Sequence, residues 1–175
     1  MKVTGDEPEP VDVEALYAEV HPGLYRYCHR LTGDPDAAAD VAQEAFVRLV
    51  ERDVQGAPHE LRAWLFKVAT HRIRDRFRTR ENRRRLLEIH PVLPGAAPDP
   101  DDEVERAQRV GRVREVLERL NLRDRELLLM REEGFSYKEM ADAVGVAPGS
   151  VGTLLARALA RFADALRAEG IHATG

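Results

Sequence analysis

Two segments carry residues whose types and spacing suit nucleic-acid binding. Residues 60–86 (ELRAWLFKVATHRIRDRFRTRENRRRL) hold ten Lys or Arg and three Asp or Glu, a local excess of seven positive charges. Leu61, Leu65, Val68, Ala69, Ile73 and Phe77 recur at helical spacing and form one apolar stripe. Arg62, Lys67, Arg72, Arg74, Arg76 and Arg78 then project outward. A guanidinium offers phosphate a bidentate fork, and neutralised phosphates release counterions. The same composition also fits a solvated face neutralised by acidic residues elsewhere, or a helix lying on a membrane surface. The second segment, residues 136–162 (SYKEMADAVGVAPGSVGTLLARALARF), has the spacing of a helix-turn-helix. Ser136 and Glu139 read as a capping box. Met140, Ala141 and Val144 form an apolar face, and Gly145 stands where a helix must stop and turn. Val146 plugs the turn, Pro148 falls in the first turn of the next helix, and Val151, Leu154 and Leu155 continue the apolar face.

Catalysis finds no comparable set. Six histidines (His21, His29, His59, His71, His90, His172) are scattered, and no HExxH, Gly-rich phosphate loop or GxSxG occurs. An enzyme, a cofactor, a metal site and a small-molecule substrate are therefore not expected. The single cysteine, Cys28, excludes an internal disulfide framework and reads as a buried, inert thiol. No apolar run reaches the length of a membrane span, and the N-terminus (MKVTGDEPEP) lacks the order of a signal peptide, so no membrane association and a cytoplasmic location are expected. The net charge of −4 does not exclude a nucleic-acid binder, because basic patches act locally.

The elements that must position these residues are all helical. With 43% hydrophobic and 33% charged residues, and no alternating strand pattern, the chain reads as an all-α protein of two small helical domains on an acidic, Pro-rich linker. Residues 1–10 are a disordered N-terminus. The first domain covers 11–88, the linker 89–103 and the second domain 104–170. Periodicity predicts a helix over about Val11–Leu31, with Leu16, Val20, Leu24, Tyr27 and Leu31 on one side. Asp34 caps a second, Pro35–Glu51, in which Ala38, Val41, Ala42, Ala45, Phe46, Leu49 and Val50 keep 3-4 spacing. Asp53–Glu60 is a loop, and a long helix covers Leu61–Leu87. His90–Glu103 has four prolines and four acidic residues. Helices resume at Val104–Leu120 and Asp124–Glu132, and Gly134 precedes the helix-turn-helix.

The charge is uneven. Residues 103–170 hold twelve Lys or Arg and twelve Asp or Glu. The presumed reading helix offers Gly149, Ser150, Gly152, Thr153, Ala156, Arg157 and Arg161, a small and weakly charged surface. Poor affinity of this half alone for duplex DNA follows. The polar face of 35–51 (Asp36, Asp40, Gln43, Glu44, Arg48) meets solvent or a basic protein surface, and spacing alone favours solvent. Oppositely charged segments on a linker also favour closure of the two halves on each other.

The order of three blocks resembles the two-domain bacterial sigma factors of the extracytoplasmic-function group. DAAADVAQEAFVRLV (36–50) is similar to the family's polymerase-binding helix, ELRAWLFKVATHRIRDRFR (60–78) to its promoter −10 segment, and residues 120–162 to its −35-reading domain. The resemblance covers about Leu16–Leu166. It implies a transcription initiation factor that brings core RNA polymerase to specific promoters and helps open the −10 element. Asp40, Gln43, Glu44 and Arg48 would then dock on the clamp helices of the largest polymerase subunit, which replaces the solvent reading of that face. The second domain would meet the flap of the second-largest subunit. His59, Arg62, Lys67, His71, Arg72, Arg74 and Arg76 would contact −10 DNA. Loop 53–60 would receive a flipped base, and Trp64 is assigned to the core over a stacking wedge. Pro148, Gly149, Ser150, Gly152, Thr153, Arg157 and Arg161 would contact the −35 duplex. Promoter DNA and core polymerase are thus the implied partners, with an anti-sigma factor as a further one. The family commonly has Asn at His71, so a different −10 preference is expected, and it commonly has Lys at Gly152 and Arg at Leu154, so the usual −35 contacts are reduced here. Leu154, Leu155 and Leu159 are either core or a surface for a partner protein. The rival readings are a stand-alone helix-turn-helix regulator and a sigma-like interaction protein with weakened promoter reading.

Overall fold

The computed structural model describes residues 11–87 and 103–169, and side chains within 11–83 and 111–169. Residues 89–102 of the predicted linker and both termini lie outside the described residues, while Glu103, assigned to the linker from sequence, begins a helix. Among the described residues the protein is all-α. Helices α1 (Val13–Thr32), α2 (Pro35–Glu51) and α3 (Pro58–Leu87) form the N-terminal unit. Helices α4 (Glu103–Arg119), α5 (Leu122–Glu132), α6 (Tyr137–Val144) and α7 (Val151–Ala168) form the C-terminal one, with a 3₁₀ turn at Pro148–Ser150 leading into α7.

Local chemistry accounts for the helix ends. Asp12 accepts from the Ala15 N–H to open α1, and Gly33, at φ 70°, closes it in the left-handed conformation. Asp34 accepts from the Asp36 and Ala37 N–H groups, and Pro35 stands at the first helical position of α2, as its sequence predicts. The Asp53–Glu60 loop is shorter than expected. The Glu60 carboxylate accepts from the Ala57 N–H at 2.9 Å, so α3 already starts at Pro58. Helix α5 starts at Leu122, two residues before the expected Asp124, because Asn121 caps it by accepting from the Asp124 N–H.

The N-terminal core is built from the predicted faces of α1 and α2 together with Leu61, Leu65, Ala69 and Ile73 of α3. Leu24, Ala38, Ala42, Ala45, Leu65 and Ile73 are fully buried. Each large aliphatic buried this way contributes about 1.5–3 kcal/mol of transfer free energy. Tyr27 is buried too, with its hydroxyl 2.8 Å from Thr70 Oγ1, which itself donates to the Phe66 carbonyl. Val68 and Phe77 of the predicted stripe are only half-buried, whereas Phe66, outside that stripe, is completely buried. Helix α3 is therefore covered on two sides: by α1 and α2 on one, and by the C-terminal unit on the other. Trp64 packs half-buried against the core. Cys28 is buried and free, and burial pushes its thiol up to about 12, so it carries almost no thiolate at neutral pH.

The helix-turn-helix follows its sequence signals closely. Ser136 Oγ accepts from the Glu139 N–H while Glu139 accepts from the Ser136 N–H at 2.7 Å, a complete capping box. Gly145 has φ 69°, and the Val146 N–H returns to the Ala141 carbonyl at 3.0 Å. Met140, Ala141, Val144, Val151 and Leu155 close the small core. Replacing Ser136 by Ala removes the N-cap acceptor and is expected to cost about 1 kcal/mol. Gly145→Val places a β-branched residue in the left-handed region and is expected to cost more than the cap. Thermal melting followed by circular dichroism checks both, and an unchanged midpoint for Gly145→Val would contradict the strain argument.

Candidate nucleic-acid and partner interface

The expected −10 residues all lie on α3, but their side chains are not all free. His59 and His71 are exposed, and Arg78, exposed as well, pairs with Asp75 of its own helix. Arg72 is hydrogen-bonded to Glu44 of α2, which also pairs with Arg48 at 3.2 Å. The Arg72 guanidinium at Glu44 holds that carboxyl below its ordinary range despite partial burial. Arg76 donates to the Ala37 carbonyl at 3.1 Å and to Asp40 at 3.2 Å. So the acidic face of α2 and one cationic side of α3 neutralise each other within the N-terminal unit.

Three other cations face the C-terminal unit rather than projecting into solvent. Arg74 donates its Nε–H to Glu126 Oε1 at 2.8 Å, a second N–H to Glu126 Oε2, and Nη1–H to the Val144 carbonyl at 3.0 Å. Glu126 is completely buried, and that burial raises its pKa above the ordinary carboxylate range against the pull of Arg74. Arg62 donates to the Glu133 carbonyl at 2.7 Å and lies over the Phe135 ring, 4.1 Å from its centroid. Lys67 donates to both Asp142 oxygens at 2.8 and 2.9 Å. Between these pairs the Phe66 and Phe135 rings meet at 4.7 Å. Arg125 completes the contact, reaching the Leu31 carbonyl at 3.4 Å and lying over Phe77. Burial lowers its pKa, and its Nε has no hydrogen-bond partner.

The expected polymerase-docking residues share one side of α2. Asp40 and Gln43 are exposed, and Glu44 and Arg48 are half-buried. Next to them the structure leaves Val47 and Val50 exposed at 44% and 58%, and Tyr17 of α1, exposed at 46%, packs on Phe46 at 4.8 Å. This apolar patch did not stand out in the sequence. Val50 followed the buried spacing of α2, and only the packing of α1 against α2 shows that its side chain falls outside the seam.

Loop 52–57 connects α2 to α3. Asp53 adopts φ 47°, and its carboxylate accepts from Gln55 Nε2 at 2.6 Å. A cleft of about 310 Å³ separates this loop from α1, lined by Asp12, Leu16, Glu19, Gly56, Pro58 and Leu61 among others.

In the helix-turn-helix, Pro148, Gly149, Ser150, Thr153 and Arg157 are exposed. Gly152 is half-buried, and a Cβ there would lie 3.5 Å from the Tyr137 ring. Arg161 is committed to Asp124 of α5 at 2.6 Å, where Asp124 also receives the Asn121 amide at 2.8 Å. Leu155 is buried and Leu154 half-buried, whereas Leu159 is 48% exposed. Among the described residues no group of His, Cys, Asp or Glu is arranged to hold a metal ion. No single described helix is long and apolar enough to cross a membrane.

A two-unit helical protein with a helix-turn-helix in one unit and a cation-rich helix in the other belongs to the DNA-binding class. Comparison with known proteins narrows this. Residues 16–83 match the model of sigma-70 region 2, and residues 111–162 match that of sigma-70 region 4. The ECF RNA polymerase sigma factor SigD of Mycobacterium tuberculosis is 33% identical over 99% of this chain and 90% of its own. The ferric citrate uptake sigma factor FecI of Escherichia coli is 28% identical over 83% of this chain and 86% of its own. In fold, the chain resembles the sigma factor RpoE of Bartonella quintana, solved in complex with the anti-sigma factor NepR, with a TM-score of 0.70 at 23% identity over 89% of this chain and 97% of that one. CnrH, solved in complex with the cytosolic domain of CnrY, gives a TM-score of 0.64 at 22% identity over 89% of this chain and 88% of that one. The chain belongs to the extracytoplasmic-function sigma factors of the sigma-70 family, and its role is in transcription initiation.

Proposed function

We propose that the N-terminal domain (11–88) docks on the clamp helices of the largest RNA polymerase subunit through α2, and that Asp40, Gln43, Glu44 and Arg48 form the polar part of that contact. The observation that carries this is the α2 surface, where exposed Val47, Val50 and Tyr17 adjoin exposed Asp40 and Gln43. An exposed apolar patch rimmed by polar groups is suited to a protein partner, not to solvent. In the polymerase-bound state α3 meets the −10 element through His59, Arg62, Lys67, His71, Arg72, Arg74 and Arg76, and loop 52–57 receives a flipped base. The C-terminal domain (104–170), joined through 89–103, reads the −35 duplex through Pro148, Gly149, Ser150, Gly152, Thr153 and Arg157 while contacting the flap of the second-largest subunit. The protein acts without catalysis in the cytoplasm, and an anti-sigma factor is a further partner, as RpoE and CnrH were solved with bound proteins.

Run-off transcription tests the reading. Core polymerase with this protein is expected to give new, discrete transcript starts on genomic fragments of the source organism, absent with core alone. No new start refutes it. One observation favours a weaker variant of the reading. With Gly152 beside Tyr137 and Arg161 held by Asp124, Arg157 is the exposed cation left among the expected −35 residues. A sigma-like interaction protein would bind core polymerase in the same assay without producing promoter-dependent starts.

A further inference from the structure

The reading face of the helix-turn-helix carries few groups that would hydrogen-bond one base in preference to another. Gly149 of the 3₁₀ turn and Thr153, Ala156, Arg157 and Ala160 of α7 are exposed, at spacings that keep them on one side of the helix. Gly152 stands at the edge of that side, and the Tyr137 ring of α6 lies against it: a Cβ at Gly152 would be 3.5 Å from Tyr137 Cε2. The ring itself is 46% exposed. The Ser136–Glu139 capping box fixes the first turn of α6, which sets where this side chain begins. Arg131 Nη1 approaches the Tyr137 hydroxyl at 3.5 Å, too far to hold it firmly. At Gly149 the backbone is bare, since a Cβ there would meet nothing within 4 Å. Tyr137, Gly149, Gly152, Thr153 and Ala156 thus make a low, uncharged strip, with Arg157 at its far edge.

We propose that this strip recognises its duplex by the C5-methyl groups of thymine, and that Tyr137 is its specificity-determining residue. The placement of α7 in the −35 major groove rests on the sigma reading above. In that groove the methyl is the apolar group that an unmodified base pair displays. Hydroxyls such as those of Ser150 and Thr153 both donate and accept, so they orient the helix without choosing a base. An aromatic ring, an alanine Cβ and a threonine methyl offer no such bond, and they gain by removing a methyl group from water. Gly152 gives the ring this role. With no side chain at that position, the ring edge borders the groove-facing side of α7 instead of lying beneath a longer residue.

The test uses core polymerase with the full chain, on a promoter fragment that gives a discrete start in the run-off assay. Thymines of the −35 element are replaced one at a time by uracil, which removes the C5-methyl and leaves every hydrogen-bonding group in place. At one position or more, uracil is expected to weaken binding of the polymerase complex about threefold or more, in line with the loss of one buried methyl. Tyr137→Ala is expected to erase that difference at one of these positions, and Tyr137→Phe to keep it. Gly152→Lys, whose Cβ fits at ordinary contact distance, is expected to raise affinity for both templates while erasing the same difference by covering the ring. Tyr137 is exposed and Gly152 half-buried, so parent-like thermal melts are expected of all three variants. A −35 element without thymine overturns the proposal, and so does uracil tolerated by the parent at every −35 position. A difference that Tyr137→Ala leaves intact does the same. So does one that Tyr137→Phe removes, which would assign the hydroxyl to a phosphate. Discrete starts with no uracil effect leave the sigma role standing. If core polymerase gives no start with this protein, the sigma reading fails, and the proposal is decided by retention on the full chain, at low salt, of genomic duplexes amplified with dTTP or with dUTP. Equal retention overturns it, and a preference for the dTTP duplexes that Tyr137→Ala loses supports it.

Discussion

Asp40→Arg is expected to weaken binding to core RNA polymerase by about 30-fold or more while leaving the fold intact. Loss of a charged partner at an interface costs about 2–5 kcal/mol, and a reversal adds repulsion. The structural cost is small. Asp40 is exposed, and its 3.2 Å pair with Arg76 joins two side chains that are 68% and 42% accessible. Exposed pairs of this kind contribute about 0–1 kcal/mol, and Arg76 keeps its bond to the Ala37 carbonyl. Glu44 is a poorer probe. It takes Arg72 and Arg48 together, so Glu44→Arg would crowd three guanidinium groups and destabilise the α2–α3 packing itself. Competition binding to core polymerase, beside a thermal melt, measures both quantities. Affinity retained within twofold in a normally folded Asp40→Arg protein would remove α2 from the docking surface.

Arg157→Glu is expected to reduce transcription from a −35-dependent promoter by about tenfold or more, with an unchanged melt. A reversed charge beside the phosphates removes one released counterion and adds repulsion. Arg157 is exposed on α7, while Arg161, one turn on, is committed elsewhere. Its partner Asp124 is almost completely buried, so Arg161→Ala is expected to act through the fold. Removing a half-exposed charge-assisted hydrogen bond costs about 1 kcal/mol, or several degrees of melting temperature in a unit of this size. Run-off yields at fixed salt, compared for the two variants, separate the roles. Equal and purely functional losses would show that Arg161 leaves Asp124 when DNA binds. A wild-type yield from Arg157→Glu would mean that α7 does not approach phosphate in the assumed orientation.

The contrast between Arg157 and Arg161 is an example of what a sequence leaves open. Both stand at reading-helix spacing, and both were expected at DNA. The partner of Arg161 lies thirty-seven positions earlier in the chain. No local pattern marks that pairing, because it exists only once α7 is laid across α5. The same holds for the charged run Asp124-Arg125-Glu126. In the sequence it reads as the polar start of a helix. In the fold all three are buried, since the start of α5 is pressed between α7 on one side and α1 and α3 on the other.

Local interactions were legible because they act within one helical turn. Asp34-Pro35, the Ser136–Glu139 box and Gly145 are decided by a few backbone dihedrals and by hydrogen bonds three residues apart, so residue type alone specifies them. The buried faces of α1 and α2 follow from a 3.6-residue period that the side chains repeat. The sequence by itself therefore determined an all-helical chain, the caps that open α2 and α6, its reading hairpin and its family. The tertiary structure alone decided which cations are available. Arg62, Lys67 and Arg74 lie fifty-two to seventy-five positions from their carboxylates, and Phe66 is buried only because a second unit covers it. Charge at a position is a property of the residue. Whether that charge faces water, a phosphate or a buried carboxylate depends on which surfaces meet, and that is set by packing between distant segments.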